Sequence, residues 1–255
     1  MARLLVALAA VGLGVALSGC VGAPAEPVDP GPAAPIGPVP PPSGPLTLER
    51  IAGIVSEDDG PPTTRFTPGG TLSTSGADLE SEQQYWVAVG GTPDVCADVV
   101  AAPYLVSSAD AADRDGLDDR SVLLGTFTEL DEERFGLIQV YAREFDDDTA
   151  AQGFLSGFEA SVAACPGYRF LDDGVATYDA VALSVEQLAP AGDGEVAALE
   201  YRETLDTADH RTTVYFLQRD RIVISIYGEI LPSSTITDAD LESLTGTVAL
   251  RFGEV

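Results

Sequence analysis

The sequence predicts an α+β fold: one antiparallel β-sheet packed against two or three helices, in a single domain behind a leader and a spacer. Three observations predict it. Short runs with alternating apolar residues crowd residues 121–227. Helical periodicity or helix-start chemistry appears at only a few places, near residues 93, 149 and 238. Ten of the chain's 18 prolines fall in residues 21–45, ahead of all of this.

Residues 1–19 read as an export leader. Arg3 is the one charge before position 20, and Leu4 to Leu17 is an apolar run too short to span a bilayer comfortably. Leu17-Ser18-Gly19-Cys20 has the form of a bacterial lipobox, in which small residues precede a cysteine that is acylated and becomes the first mature residue. On this reading Cys20 carries the lipid, and the membrane is a partner through that lipid. Residues 20–45 follow as acylated cysteine and spacer. Proline fixes φ and removes a donor, so this segment is expected to run extended at roughly 3 Å per residue.

Residues 46–255 form the domain, about 210 residues, enough to bury a substantial core. Leu46 to Ile51 reads as a strand end entering a short helix, and residues 56–82 as loops with at most a short strand. Tyr85 to Val89 has strand composition, and Gly90-Gly91 stops it. Thr92 and Pro93 then start a helix through Val95, Cys96, Val99 and Val100 that ends near Pro103. Residues 107–120 are an acidic loop. Ser121 to Leu130 and Phe135 to Phe145 make a hairpin, with Val122, Leu124 and Thr126 on one face of its first strand. Asp146-Asp147-Asp148 suits a helix N-terminus, and Phe154, Leu155, Phe158, Val162 and Cys165 trace one helical face before Pro166-Gly167.

The rest reads as β until the C-terminus. Strands are expected at Tyr168 to Leu171, Ala180 to Gln187, Val196 to Leu205, Arg211 to Gln218 and Arg221 to Tyr227, the last two joined by Arg219-Asp220. Ile222, Ile224 and Ile226 alternate on one face of the final strand. Asp238 opens a closing helix with Leu241, Leu244 and Val248 inward; Gly246 weakens it.

Composition narrows the function. The net charge is −28, from 41 acidic residues and 13 basic ones, all arginine. Such a field repels phosphate backbones, so nucleic acid is an improbable partner. With Cys20 set aside, Cys96 and Cys165 remain, and in an oxidising compartment they read as a disulfide closing a 69-residue separation; two buried free thiols are the alternative. No metal or cofactor is expected: a zinc site would need more ligands, and His210 is the one histidine.

Catalysis finds little support. His210 falls in Thr207 to Arg211, which reads as a surface turn, and no Gly-x-Ser-x-Gly elbow exists. Asp113, Asp115, Asp118 and Asp119 miss the calcium-loop spacing. Trp86, Tyr85, Tyr141, Tyr178, Tyr201 and Phe216 supply aromatic surface, expected mainly in the core.

Phe135 to Tyr141, then Thr149 to Phe154, then Ala163-Ala164-Cys165 resemble the extracellular sensor domain of mycobacterial PknH-type kinases. Pro93-Asp94-Val95-Cys96 is similar to that family's earlier helix-start cysteine, whose partner is the helix-end cysteine. Arg221 to Ile226 and Asp238 to Leu241 look like its late core strand and closing helix. The resemblance implies an antiparallel sheet, two packed helices and a cleft for an unknown ligand, with no catalytic residues. It departs in one respect: no cysteine follows Cys165, so the family's second disulfide is absent. The expected function is therefore non-enzymatic: a lipid-anchored, extracytoplasmic protein that senses or binds a small molecule or envelope component. The alternative is a structural or partner-binding envelope lipoprotein.

Overall fold

The computed structural model describes residues 45–69, 86–88, 93–105, 121–131, 134, 136–172, 175–191, 195–205 and 210–255, and among them the fold has four α-helices and nine strands. All belong to the unit Pro40–Val255. Cys20, the spacer before Pro45 and the acidic loop at 107–120 lie outside them.

The strands are β1 (Thr64–Pro68), β2 (Trp86–Ala88), β3 (Ser121–Glu129), β4 (Gly136–Glu144), β5 (Tyr168–Asp172), β6 (Val175–Ala191), β7 (Val196–Leu205), β8 (Arg211–Arg219) and β9 (Ile222–Ile230). They form one sheet in the order β1-β3-β4-β9-β8-β7-β6-β5-β2, with every pairing antiparallel. The helices are α1 (Leu48–Ile51), α2 (Pro93–Ala101), α3 (Asp148–Ala164) and α4 (Asp238–Glu254). The expected antiparallel sheet with packed helices is thus the observed fold.

Two apolar cores lie on opposite faces of the sheet. One gathers Ile138, Val140, Leu217, Ile222, Ile224 and Ile226 against Leu241, Leu244, Val248 and Phe252 of α4. The other gathers Tyr201, Val214 and Phe216 against Val99 of α2 and Phe158 and Val162 of α3. This arrangement explains β8, whose residues 212–218 are all buried. A strand covered on both faces loses the apolar–polar alternation that a half-exposed strand shows.

Local chemistry sets the helix ends. Asp147 caps α3 by accepting from the Ala150 amide at 2.7 Å. Thr237 and Asp240 form a reciprocal capping box at the start of α4. At its other end the Arg219 guanidinium donates to the carbonyls of Phe252 and Gly253, at 2.7 and 3.0 Å. Gly228 lets α4 settle on β9: a Cβ there would lie 2.5 Å from Leu241 Cδ1.

Several expectations need correction. Leu46 is buried, but the described residues before α1, 45–47, form no strand. A register shift between Leu123 and Gly125 changes the face of β3 beyond it, so Phe127 and not Thr126 joins Leu124 in the core. β6 runs far beyond Ala180 to Gln187, and register irregularities re-aim it between Ala180 and Ala182 and between Leu188 and Ala191. In the final hairpin Arg219 pairs with Ile222, so the two-residue turn is Asp220-Arg221, with Asp220 at φ 50°. In α3 the fully covered positions are Ala151, Phe158 and Val162, while Phe154 and Leu155 are half-buried. Cys165 is the residue just past its end.

Candidate binding face beneath the second and third helices

Alternation along β7 turns Leu199, Tyr201 and Glu203 toward the α2/α3 side of the sheet. Strand register extends these positions into rows. Glu203 pairs with Thr212, Thr212 with Glu229, and Glu229 with Leu137. The next row inward is Tyr201, Val214, Tyr227 and Gln139; the one after is Leu199, Phe216, Ser225 and Tyr141. The face therefore passes from an apolar centre to a polar end.

Glu203 is the most costly residue there, because it is only 4% exposed. Its Oε2 accepts from the Tyr201 hydroxyl at 2.8 Å and from the Tyr168 hydroxyl. Burial drives its carboxyl above the ordinary glutamate range; the two tyrosine hydrogen bonds and His210 oppose this without cancelling it. Tyr168 and Tyr201 are pushed well above the ordinary tyrosine value, first by burial and then by the Glu203 charge.

His210 is buried at the entrance to β8, which corrects the expected surface turn. Its Nε2 lies 3.1 Å from Glu229 Oε1, and the Tyr227 hydroxyl donates to Glu229 Oε2 at 3.4 Å. Glu229 is thus one partner of His210, and a carboxylate there orients the imidazole.

The segment after α2 supplies the aromatic wall. Ala102–Tyr104 is a 3₁₀ turn, and the carbonyl of Leu105 accepts from Arg143 Nη1 at 2.8 Å. This holds Tyr104 over the sheet, with ring centroids 5.6 Å from Tyr141 and 6.1 Å from Tyr227. The same layer is stapled to α3. Cys96, on α2, is bonded to Cys165 with their Cα atoms 5.0 Å apart, so the disulfide alternative is the one realised. Cys96 is fully buried, as a structural bridge requires.

Among the described residues, open grooves also lie elsewhere. One, of about 300 Å³, runs between α3 and β6–β7 and is lined by Gln152, Leu155, Glu159, Gln187 and Leu199. Another, of about 360 Å³, lies between Pro62, Glu129, Leu130 and Arg134. Its floor is structural: Glu129 Oε1 accepts from Ser234 Oγ at 2.8 Å and from the backbone amides of Thr235 and Ile236.

The chain is similar to the extracellular domain of PknH from Mycobacterium tuberculosis. Identity is 9%, the match covers 80% of this chain and 90% of that one, and the TM-score is 0.43. It is also similar to an uncharacterized protein from Mycobacterium smegmatis, at 10% identity over 76% of this chain and 91% of that one, with a TM-score of 0.31. No protein-family model matches the chain, and no curated protein matches it. The face described above is defined by its own geometry.

The sequence-predicted residues distribute as follows. Cys96 and Cys165 meet. Tyr141, Tyr201 and Phe216 are buried on the α2/α3 face. Trp86 and Tyr178 are placed by their backbones in β2 and β6. Tyr85, Asp113, Asp115, Asp118, Asp119 and Cys20 lie outside the described residues. Among those residues no group of histidine, cysteine or carboxylate side chains is arranged to hold a metal. Sequence reading missed Glu203, Glu229, Tyr104 and Tyr168. Glu203 had left a signal, since a carboxylate in phase with Leu199 and Tyr201 points where an apolar residue is expected.

Proposed function

We propose that this is an exported lipoprotein, anchored through an acylated Cys20, whose folded unit binds a small ligand at the tyrosine–carboxylate end of the α2/α3 face. The observation that carries the reading is Glu203. A buried carboxyl held by neutral hydroxyls is expensive to keep, and groups perturbed in this way concentrate at functional sites. Export is supported by the leader and lipobox pattern and by the Cys96–Cys165 disulfide, a bond that persists in oxidising compartments. Among the described residues no helix is long and apolar enough to cross a membrane.

A thermal-shift screen of the full-length chain against envelope metabolites and lipids tests the binding half, because a ligand selective for the native state raises its melting temperature. A compound whose shift disappears on altering Glu229 supports the reading. A screen with no shift from any compound overturns it in favour of a structural or partner-binding lipoprotein. Fractionation of the Cys20→Ala protein tests the anchor: it is expected to leave the membrane fraction, and retention there would contradict acylation at Cys20.

A further inference from the structure

We propose that the ligand of this face is a small organic ammonium ion, whose charge meets the Glu229 carboxylate beside the rings of Tyr104 and Tyr227. This rests on the ligand-binding reading above and adds its chemical class. The first argument is charge. Two carboxyl groups, Glu203 from β7 and Glu229 from β9, face the polar end of the sheet. Among the described residues, His210 at the start of β8 is the one basic side chain within hydrogen-bonding reach of either. Arg143, on the same face of β4, is turned to the Leu105 carbonyl, with its guanidinium 4.9 Å from the Phe145 ring centroid. Two carboxyl groups thus face one described basic side chain, so a cationic ligand would be attracted to this end of the face and an anionic one repelled.

The second argument is shape. Tyr104, Tyr141 and Tyr227 form a three-ring group, with centroids 5.6 and 6.1 Å from Tyr104, and the Tyr227 hydroxyl of that group meets Glu229. Ring faces next to a carboxylate favour an ammonium group, since the ring quadrupole and the full charge attract it together. Glu229 is reachable: its side chain is 23% exposed, against 4% for residue Glu203. The third argument is a spare hydroxyl. Ser225, two residues before Tyr227 on the same face of β9, is completely buried, yet its Oγ has no hydrogen-bond partner. A polar ligand or its water would satisfy it.

The test is calorimetric titration of the full-length chain, held in a non-ionic detergent, with choline, with putrescine and with the uncharged tert-butyl isostere of choline. The proposal expects heat from at least one amine, none from the isostere, and affinity weakened about tenfold by Glu229→Gln, the ratio corresponding to loss of a single modest ion contact. Tyr227→Leu is a second variant that removes a ring and leaves both carboxylates; it is expected to weaken the same amine. Melting curves of both variants confirm that they fold. Equal binding of the isostere overturns the ammonium class, as does an absence of heat from both amines while another compound in the screen shifts the melting temperature. Either result leaves the ligand-binding reading standing. Amine binding unchanged in both variants overturns the site.

Discussion

Removing the disulfide by Cys96→Ala with Cys165→Ala provides a quantitative test of how the α2/α3 layer is held. The bridged residues are 69 apart in sequence, and the loop they close contains β3, β4 and α3. In the chain-entropy treatment a loop of that length contributes about 4 kcal/mol, by restricting the unfolded chain. Both cysteines are buried, so alanine also leaves a small void that adds to the loss. For a folded unit of this size 1 kcal/mol moves the melting temperature about 2–4 °C, so the double variant should melt about 10 °C lower. Urea titration separates the causes. An uncrosslinked unfolded chain exposes more surface, so the denaturant slope should steepen while the midpoint falls. A midpoint and slope both equal to the parent's would refute the reasoning, because a closed loop of this length would then be doing nothing to the unfolded state.

Three further outcomes are expected. Gly228→Ala forces a methyl into Leu241 and should cost about 1–3 kcal/mol in a urea titration, with Leu241→Ala in the same chain recovering part of it. Glu203→Gln should flatten the pH dependence of stability. The raised carboxyl binds its proton more tightly folded than unfolded, so its contribution is complete below the ordinary glutamate value and is lost as pH rises through the raised one; melting curves from about pH 4 to pH 8 should show the variant gaining on the parent. Arg251→Ala removes contacts of 2.6 and 2.8 Å to Asp59 and one of 2.8 Å to the Ile54 carbonyl, and should cost about 2 kcal/mol. Burial pushes the Asp59 carboxyl up, but Arg251 and Ser56 together hold it below the usual range, so the parent loses this contribution on acidification and the variant has less to lose.

Elements whose pattern is local were legible in the sequence, and those decided by neighbours were not. Val196–Leu205 and the start of α4 are found where the sequence placed them, because strand alternation and a capping box are written within a few residues. The face of β3 beyond Gly125 depends on one extra residue in the pairing, which no alternation reveals. β6 was cut short because its register irregularities interrupt the period. The hairpin turn was placed one residue early because Asp220, at φ 50°, takes a turn position usually signalled by Asn-Gly. The disulfide was readable by cysteine arithmetic. The polar end of the α2/α3 face was not, since it comes from β5, β7, β8 and β9 and the turn after α2. His210 looked like a turn residue because its contact with Glu229 comes from nineteen positions later in the chain.

The central claim is that this tyrosine–carboxylate face receives a ligand. Tyrosine-ring NMR of the full-length chain during titration with an active compound tests it most directly, because the described tyrosines include members on both faces of the sheet. The account predicts that Tyr104 and Tyr227 move first, while Tyr215, buried against α4 on the opposite face, stays in place. Movement confined to Tyr215, or none at Tyr104 and Tyr227 at a saturating ligand concentration, would contradict it.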